Sequence, residues 1–249
     1  MERPKLLIYA DASRNETCSF TGWRKARQTN NVEHLARMHN YYKGLQRLND
    51  EARPSAFHQF VKELVDDGYY DVSILTTDID DLYERVGVPP SKIVHLHGMV
   101  TKRRCTNCQC TFEDLTTTMW TQNTLAERCP QTQCGSRYVK TDVRFHEETC
   151  PAYMRAVQNF NKMKFGDVVL IIGASHMYHD NTLSIQHLWA NCRRRHVHTV
   201  CVQLTTHTSA DINTKFSAHM TMQGLMKDIV PEIQLYMRSC KMVSRLISD

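Results

Sequence analysis

Two cysteine pairs stand close together in the middle of the chain. Cys105 and Cys108 are separated by two residues, and Cys129 and Cys134 by four. Zinc prefers four tetrahedral ligands, and thiolate pairs that are close in sequence can hold one ion from two turns. Because such a set leaves no open coordination position, the metal would be structural. The spacing therefore predicts a structural zinc site, with Cys110 as a substitute ligand and free loop thiols as the alternative.

A histidine lies just before this cysteine-rich stretch. The apolar run 93–96 is followed directly by His97 and Gly98. A neutral imidazole has a pKa near the working pH, so a histidine at the end of a strand can act as a general base. The alternative is a structural histidine that only hydrogen-bonds the neighbouring turn. The sequence therefore offers a candidate base beside a candidate metal site.

Composition limits the class of protein. The chain has 249 residues, of which 41% are hydrophobic and 23% charged, as in soluble globular proteins. No run approaches the ~18 apolar residues of a membrane span, and the N-terminus precedes only a short apolar strand, unlike a secretory signal. We therefore expect an intracellular protein, cytoplasmic or nuclear, whose ten cysteines are reduced or bind metal.

The charge distribution gives little support for nucleic-acid binding. The formal net charge is +5, and short basic runs occur at 102–104 and 193–195. Neither run has the interleaved aromatic residues of a groove for single-stranded nucleic acid. We interpret both as solvated surface, and the sequence leaves the oligomeric state open.

Apolar periodicity predicts strands that alternate with helices. The predicted strands are 6–10, 72–75, 93–96, 167–173 and 197–204. The predicted helices are 32–49, 56–65, 80–86, 151–163, 185–191 and 225–246, with a break allowed at Pro231. The strand 167–173 is apolar on both faces, as in the middle of a parallel sheet. This alternation predicts an α/β fold with a doubly wound, parallel, Rossmann-like sheet whose ligands bind at the carboxyl ends of its strands.

The periodicity disappears between Thr101 and Asp142. Cysteine, threonine and glutamine dominate there, and large apolar residues are few. Such a segment would need a metal ion to fold. We therefore predict a Rossmann-like domain built from residues 1–100 and 143–249, interrupted by a small zinc-binding insert at 101–142.

Several short segments together resemble the sirtuins, which are NAD-dependent protein deacylases, over most of the chain. The strand that ends in His97 and Gly98, followed by a zinc insert, is similar to the family pattern. Further segments resemble family motifs at 76–80, 145–147, 173–175 and 220–230. Each segment is unspecific by itself, and only their combination and order carry the resemblance.

The resemblance implies an NAD-dependent protein lysine deacylase. Such an enzyme transfers the acyl group of an acyl-lysine protein to ADP-ribose and releases nicotinamide, with NAD as cofactor and Zn²⁺ in a structural site. His97 falls on the family's catalytic histidine, which takes a proton from a ribose hydroxyl. A membrane partner is not expected.

The resemblance also implies the residues that bind cofactor and substrate. Those on the cofactor side are Ala10, Phe20, Asp78, Asp80, Gly173, Ser175, Gln203 and Gly224. Those on the substrate side are Phe145, His146 and Glu147. Alternative roles stay open: Asp80 and Ser175 could cap the helices that follow them, and Phe20 could be a core residue.

The chain departs from the family pattern where the cofactor would bind. Asp11 follows the first strand in place of a glycine loop that lets the backbone approach a pyrophosphate. The family's phenylalanine-arginine-glycine element is Phe20-Thr21-Gly22, and Asp78 replaces an asparagine by an acceptor-only carboxylate. These changes leave a second hypothesis, a catalytically degenerate sirtuin-fold protein that binds a partner or an ADP-ribose-type nucleotide without turnover. A third is a zinc-dependent interaction module.

Overall fold

The computed structural model describes residues 5–10, 19–113, 128–145, 147–148, 152–172, 194–203, 220–224 and 226–248. The loop that contains Asp11 and the predicted helix 185–191 lie outside this range. Among the described helices, none has both the length and the apolar character needed to cross a membrane.

The described part of the chain contains nine strands and six α-helices. The strands are β1 (Lys5–Ala10), β2 (Asp71–Thr76), β3 (Ile93–His95), β4 (Lys102–Cys105), β5 (Thr111–Glu113), β6 (Val139–Thr141), β7 (Val168–Ile172), β8 (His198–Gln203) and β9 (Met220–Gln223). The helices are α1 (Phe20–Thr29), α2 (Val32–Glu51), α3 (Ala56–Asp67), α4 (Leu82–Arg85), α5 (Tyr153–Asn161) and α6 (Met226–Ser248).

Six of these strands form one parallel sheet in the order β3-β2-β1-β7-β8-β9. This is the strand order of a doubly wound Rossmann-type fold, and it confirms the predicted class. The strand order reverses between the neighbouring strands β1 and β7. A crevice at the carboxyl ends of the strands is where ligands bind in such sheets.

The main core lies between this sheet and helices α3 and α6. All five residues of β7 are buried, as the apolar run predicts. Val61 and Leu64 of α3 and Ile233 and Met237 of α6 belong to the same buried cluster. The two helices also pack against one another. Helix α6 continues through Pro231 without the break that the sequence allowed.

A second cluster joins α1 and α2 to the segment after β6. Trp23, Leu35, Met38 and Phe145 are buried together. Because α1 and α2 precede β2 in the chain and Phe145 follows β6, this contact holds the helix pair against the end of the insert. The sequence did not predict α1.

The insert contains a three-stranded antiparallel sheet in the order β5-β4-β6. Among the described residues of the insert, which leave out 114–127, one apolar cluster consists of Cys105, Cys129 and Val139, with Cys110, Phe112 and Cys134 packed against it. These strands were not predicted, because three or four residues offer too few positions for an alternating pattern. Four of the six residues in this cluster are cysteines, which agrees with the predicted zinc site.

The start of α3 contains a histidine that should make stability depend on pH. Ser55 N donates to His58 Nδ1 at 3.2 Å, which requires a neutral acceptor nitrogen. Burial lowers the pKa of His58 below its ordinary value of 6.5, against the opposing charge of Asp80. The unfolded chain therefore takes up the proton first, and the free energy of unfolding should fall as the pH drops below 6.5.

A His58→Gln variant isolates this contribution, because glutamine at the same helix position can keep the capping bond without titrating. Urea unfolding at pH 7.5 and pH 5.5 should show a smaller loss of stability for the variant than for the native protein. Equal losses in both proteins would contradict the assignment.

Candidate functional site

The segments predicted to bind a cofactor leave the sheet from one edge. Ala10, at the end of β1, pairs with Thr76 of β2 and with Ile172 of β7, and Thr76 pairs with His95 of β3. The segments that follow these strands, including Asp78 and His97, therefore begin side by side. This arrangement follows from the parallel order and brings Asp78 and His97 close to the carboxyl ends of β2 and β3.

His97 lies two residues beyond the end of β3. Its carbonyl oxygen accepts a hydrogen bond from Arg144 N at 2.8 Å. Gly98 has φ +73°, and a Cβ at this residue would lie 2.0 Å from the carbonyl oxygen of Asp142. The turn after His97 therefore requires glycine both for its backbone conformation and for the close approach of the chain that returns from the insert.

The segment after β2 is ordered by local hydrogen bonds. The buried Thr76 hydroxyl donates to Asp78 Oδ2 at 3.1 Å and accepts from Asp78 N at 3.0 Å. Asp80 Oδ1 accepts a hydrogen bond at 3.1 Å from the backbone N of Leu82, the first residue of α4, whereas Asp81 occupies the N-cap position. Asp80 therefore supports the start of this helix from one residue before the predicted cap position, and a cofactor role for it is a proposal.

A second histidine beside the candidate base was not singled out from the sequence. His95 Nε2 lies 2.8 Å from Glu84 Oε1, and His95 Nδ1 lies 3.4 Å from the carbonyl oxygen of Asp78. Burial alone would raise the pKa of Glu84, but the interactions with His95, a backbone hydrogen bond and the charge of Lys102 together lower that pKa. A carboxylate is therefore held next to the turn that carries His97. Nothing in the spacing of Glu84 and His95 could have indicated this pair.

The carboxylates of Asp78 and Asp80 make the segment between β2 and α4 acidic. Burial raises the pKa of the Tyr83 hydroxyl strongly, and the carboxylates of Asp78 and Asp80 add to this effect. Tyr83 is fully buried, so it remains a neutral phenol beside the two carboxylates. This segment would favour a ligand group that donates hydrogen bonds.

The aromatic residues of the candidate site pack among themselves. Phe20 stacks on Trp23 with ring centroids 5.7 Å apart, which agrees with the core role left open for it. The Phe145 ring is buried and stacks on Tyr42 at 5.5 Å. Glu147 is exposed and accepts a hydrogen bond from Ser19 Oγ at 3.1 Å. The buried Phe145 ring therefore leaves the backbone of this segment as the part that could contact a peptide.

The remaining predicted residues are described in part or not at all. Gly224 follows β9 with φ +147°. Ala10 and Gln203 are described by their backbone alone, at the ends of β1 and β8. Gly173, Ser175 and His146 lie outside the described residues.

The four predicted cysteines converge in the insert. The Sγ atoms of Cys105, Cys108, Cys129 and Cys134 all lie within 4.8 Å of one another. Cys105 Sγ is 3.7 Å from Cys134 Sγ, and Cys108 Sγ is 3.5 Å from Cys129 Sγ. A Zn–S distance of about 2.3 Å in a tetrahedral site separates ligand sulfurs by about 3.8 Å. These residues therefore fit a structural zinc ion.

Two of these thiols are already disposed to ionise. Hydrogen bonds from the Cys110 amide and thiol lower the pKa of Cys108 to about 6. The side-chain amide of Asn107 lowers the pKa of Cys134, whereas desolvation raises that of Cys129. A bound metal would keep all four thiols deprotonated, including Cys129, whose pKa is raised in the metal-free protein.

The fifth thiol of the insert provides a matched control for the zinc site. Cys110 Sγ lies 3.4 Å from Cys129 Sγ, yet Cys110 is not one of the four mutually adjacent ligands. Cys129→Ser should reduce bound zinc well below one equivalent and unfold the insert, whereas Cys110→Ser should retain it. Metal analysis together with thermal unfolding checks this, and equal zinc loss in both variants would contradict the ligand set.

The turn after His97 gives a further prediction. Gly98→Ala should lower the free energy of unfolding by more than about 2 kcal/mol, because backbone strain and a clash with Asp142 add together. Gly166→Ala is the control, since Gly166 also has a positive φ of +88° but nothing within 4 Å of the added Cβ. Its cost should be about 1 kcal/mol. Denaturant unfolding of both variants tests this, and equal losses would contradict the close approach.

The sequence matches proteins whose family is known. The profile of the Sir2 family matches residues 8–179 of this chain. An NAD-dependent protein deacylase from Campylobacter jejuni is 26% identical over 138 residues, which are 55% of this chain and 52% of that protein. NAD-dependent protein deacetylase sirtuin-3 from Mus musculus is 32% identical over 125 residues, covering 49% of this chain and 35% of that protein. The chain thus spans about half the length, or less, of these two curated relatives.

Solved structures agree on the fold. A mutant Sir2 homologue in complex with ADP-ribose has a TM-score of 0.68 at 18% identity and covers 98% of this chain and 94% of its own. A complex of a Sir2 homologue with NAD has a TM-score of 0.66 at 20% identity, and the match covers 95% of this chain and 90% of that protein's chain. The family profile spans more than half of the chain and the strand order agrees with it, so this protein belongs to the Sir2 family.

Proposed function

We propose that this protein is an NAD-dependent protein lysine deacylase of the sirtuin type. The observation that carries the proposal is the position of His97, at the carboxyl edge of the sheet and directly before the thiol-rich insert. The relatives named NAD-dependent protein deacylase support it. The division into a Rossmann-like NAD-binding domain (1–100 and 143–249) and a zinc-binding insert (101–142) is part of the same proposal.

His97 is the proposed general base. Bound NAD would supply the ADP-ribose that accepts the acyl group and the nicotinamide that leaves. A neutral imidazole would take a proton from a ribose hydroxyl, a task that suits its pKa. His95 cannot easily replace it, because His95 Nε2 is engaged by Glu84. We assign His95 and Glu84 a positioning role beneath the turn that carries His97.

The ends of β1, β7, β8 and β9 would hold the nucleotide. Ala10, Gly173 and Ser175 would lie near the phosphates, and Gln203 and Gly224 near the adenosine. Asp80 would accept a hydrogen bond from the nicotinamide amide in addition to the one that it accepts from Leu82 N. Asp78, held by Thr76, would lie beside it. Phe20 would border the same pocket from α1.

An acyl-lysine peptide is the proposed second substrate. It would pair with the backbone of Phe145, His146 and Glu147, because the Phe145 ring is buried in the aromatic cluster. The structural zinc ion would hold the insert in place beside this segment. An intracellular setting is part of the proposal, since reduced thiols are needed for the metal.

One observation favours a second function, nucleotide or partner binding without turnover. The segment after β1 begins with Asp11 and carries no glycine up to Phe20, so its sequence offers a carboxylate where the family has a glycine loop for the pyrophosphate. In that case the fold would persist while the cofactor is held poorly. The two functions differ in whether nicotinamide is released.

Nicotinamide release from NAD in the presence of an acetyl-lysine peptide tests the proposal. The native protein should release nicotinamide in a peptide-dependent way, and His97→Ala should lower this rate by ~10²–10⁴-fold, because the general base is lost. His196→Asn is the control, since His196 lies exposed before β8, at the opposite edge of the sheet, and asparagine tolerates its positive φ of 55°. Unchanged turnover in His97→Ala would contradict the assignment, and no turnover in the native protein would favour the second function.

A further inference from the structure

The residues that follow β6 form a closed turn. Phe145 N donates a hydrogen bond to Glu148 Oε2 at 2.9 Å, and Glu148 N donates in return to the carbonyl oxygen of Phe145 at 3.2 Å. Arg144 Nε donates to the carbonyl oxygen of Glu148 at 2.6 Å. Within the turn, Glu147 has a φ of +70°, a left-handed conformation that residues other than glycine adopt rarely. The side chain of Glu148 therefore closes a turn whose backbone is strained at the preceding residue.

A buried lysine of β6 holds the carboxylate that closes this turn. Lys140 Nζ lies 3.0 Å from Glu148 Oε2. It also donates to the carbonyl oxygens of Thr141 and Val143 at 3.0 and 2.7 Å. The same ammonium group lies 4.1 Å from the centroid of the Phe145 ring, within the range of a cation–π interaction. Lys140 therefore contacts a carboxylate, the backbone and an aromatic ring of one short segment.

The pair of Lys140 and Glu148 is buried, and this decides what it can contribute. Lys140 is 3% exposed, and the side chain of Glu148 is 14% exposed. Burial lowers the pKa of Lys140, and the charge of Glu148 opposes this change. The attraction within a buried ion pair is offset by the loss of hydration, so apolar residues of similar size often stabilise a fold as well. What the pair adds is a fixed geometry for the Phe145 amide and for the backbone that the lysine binds.

This turn overlaps the segment that would pair with the acyl-lysine peptide. The proposed peptide contacts are backbone groups of 145–147, and Glu148 follows them directly. One residue before the segment, Arg144 N donates to the carbonyl oxygen of His97 at 2.8 Å. The turn is thus attached to the residue proposed as the general base. A change in its conformation would move the peptide relative to His97 without altering the strand ends that would hold the nucleotide.

We propose that Glu148 and Lys140 are positioning residues for the acyl-lysine peptide. The Glu148 carboxylate, held by Lys140, fixes the backbone of 145–147 in the conformation that pairs with the peptide. Because the Phe145 amide is used inside the turn, the peptide would pair with the other backbone groups of this segment. The inference rests on the proposed function, since the peptide is a substrate only there, and it names two side chains that the sequence did not indicate.

Binding of a fluorescently labelled acetyl-lysine peptide to the full chain, measured by fluorescence anisotropy, tests this role. Glu148→Gln keeps the size of the side chain but removes the charge that faces Lys140. We expect about tenfold weaker peptide binding, the effect of one lost hydrogen bond to a charged group. The affinity for ADP-ribose, measured by calorimetry, should not change, because the strand ends are not altered. A role in stability alone would not weaken peptide binding selectively.

Lys140→Met removes the other partner and should also weaken peptide binding about tenfold. Each single variant leaves a buried charge without its partner, which is destabilising, whereas the variant that combines Lys140→Met with Glu148→Gln has neither charge and should fold. Its zinc content should equal that of the native protein. Because the two residues act as one unit, the double variant should bind the peptide about as weakly as either single variant. Native peptide affinity in the double variant, additive losses, or equal losses of peptide and ADP-ribose affinity would each overturn the proposal.

Glu113→Gln is the matched control. Glu113 is an exposed residue of β5, and its carboxylate lies 3.9 Å from Lys102 Nζ. The substitution again removes a charge that faces a lysine of the insert, but at the edge of the small sheet opposite β6. This variant should bind the peptide with native affinity. A loss equal to that in Glu148→Gln would overturn the positioning role, because any lost charge on the insert would then have the same effect.

The outcomes separate this inference from the proposed function. If the native protein binds the peptide and releases nicotinamide, and the double variant does both equally well, the positioning role alone is wrong. If the variants bind the peptide more weakly than the native protein but the native protein releases no nicotinamide, the deacylase function is wrong and the positioning role stands. If the native protein neither binds the peptide nor releases nicotinamide, both are wrong.

Discussion

The arrangement of the candidate site depends on one close approach between two backbone segments. The chain leaves the sheet after β3 at Gly98 and returns from the insert at Asp142, where only a glycine leaves room for the carbonyl oxygen. Arg144 N binds the carbonyl oxygen of His97 immediately afterwards, and Asp142 forms an ion pair with Arg104 of β4. The candidate base, the thiol-rich insert and the peptide segment are thereby fixed relative to one another.

This close approach connects a sheet that is stabilised by apolar burial with an insert that a metal ion would stabilise. The large sheet is held by apolar burial on β7, α3 and α6, whereas cysteines make up most of the cluster in the described part of the insert. A metal that binds four thiolates would add to the stability of the insert. The aromatic cluster of Trp23, Tyr42 and Phe145 joins the helix pair to the segment that follows the insert.

The sequence predicted those features whose signal is local. The five buried residues of β7 and the four cysteines could be identified because an apolar run and a short spacing carry their meaning within a few residues. The pair of His95 and Glu84 could not, because its members come from different elements and meet only in the fold. The same holds for Asp142, whose importance arises from the short distance between its carbonyl oxygen and Gly98. The strands of the insert were not predicted because they are too short to show the alternating apolar pattern of a strand.

The proposed function requires the carboxyl edge of the sheet, between β1 and β7, to hold a dinucleotide although no glycine follows β1 up to Phe20. Calorimetric titration of the purified protein with NAD and, separately, with ADP-ribose tests this requirement. We expect saturable, one-to-one binding of both compounds. If neither compound binds, the edge is not a dinucleotide site, and the proposed deacylase function falls with it.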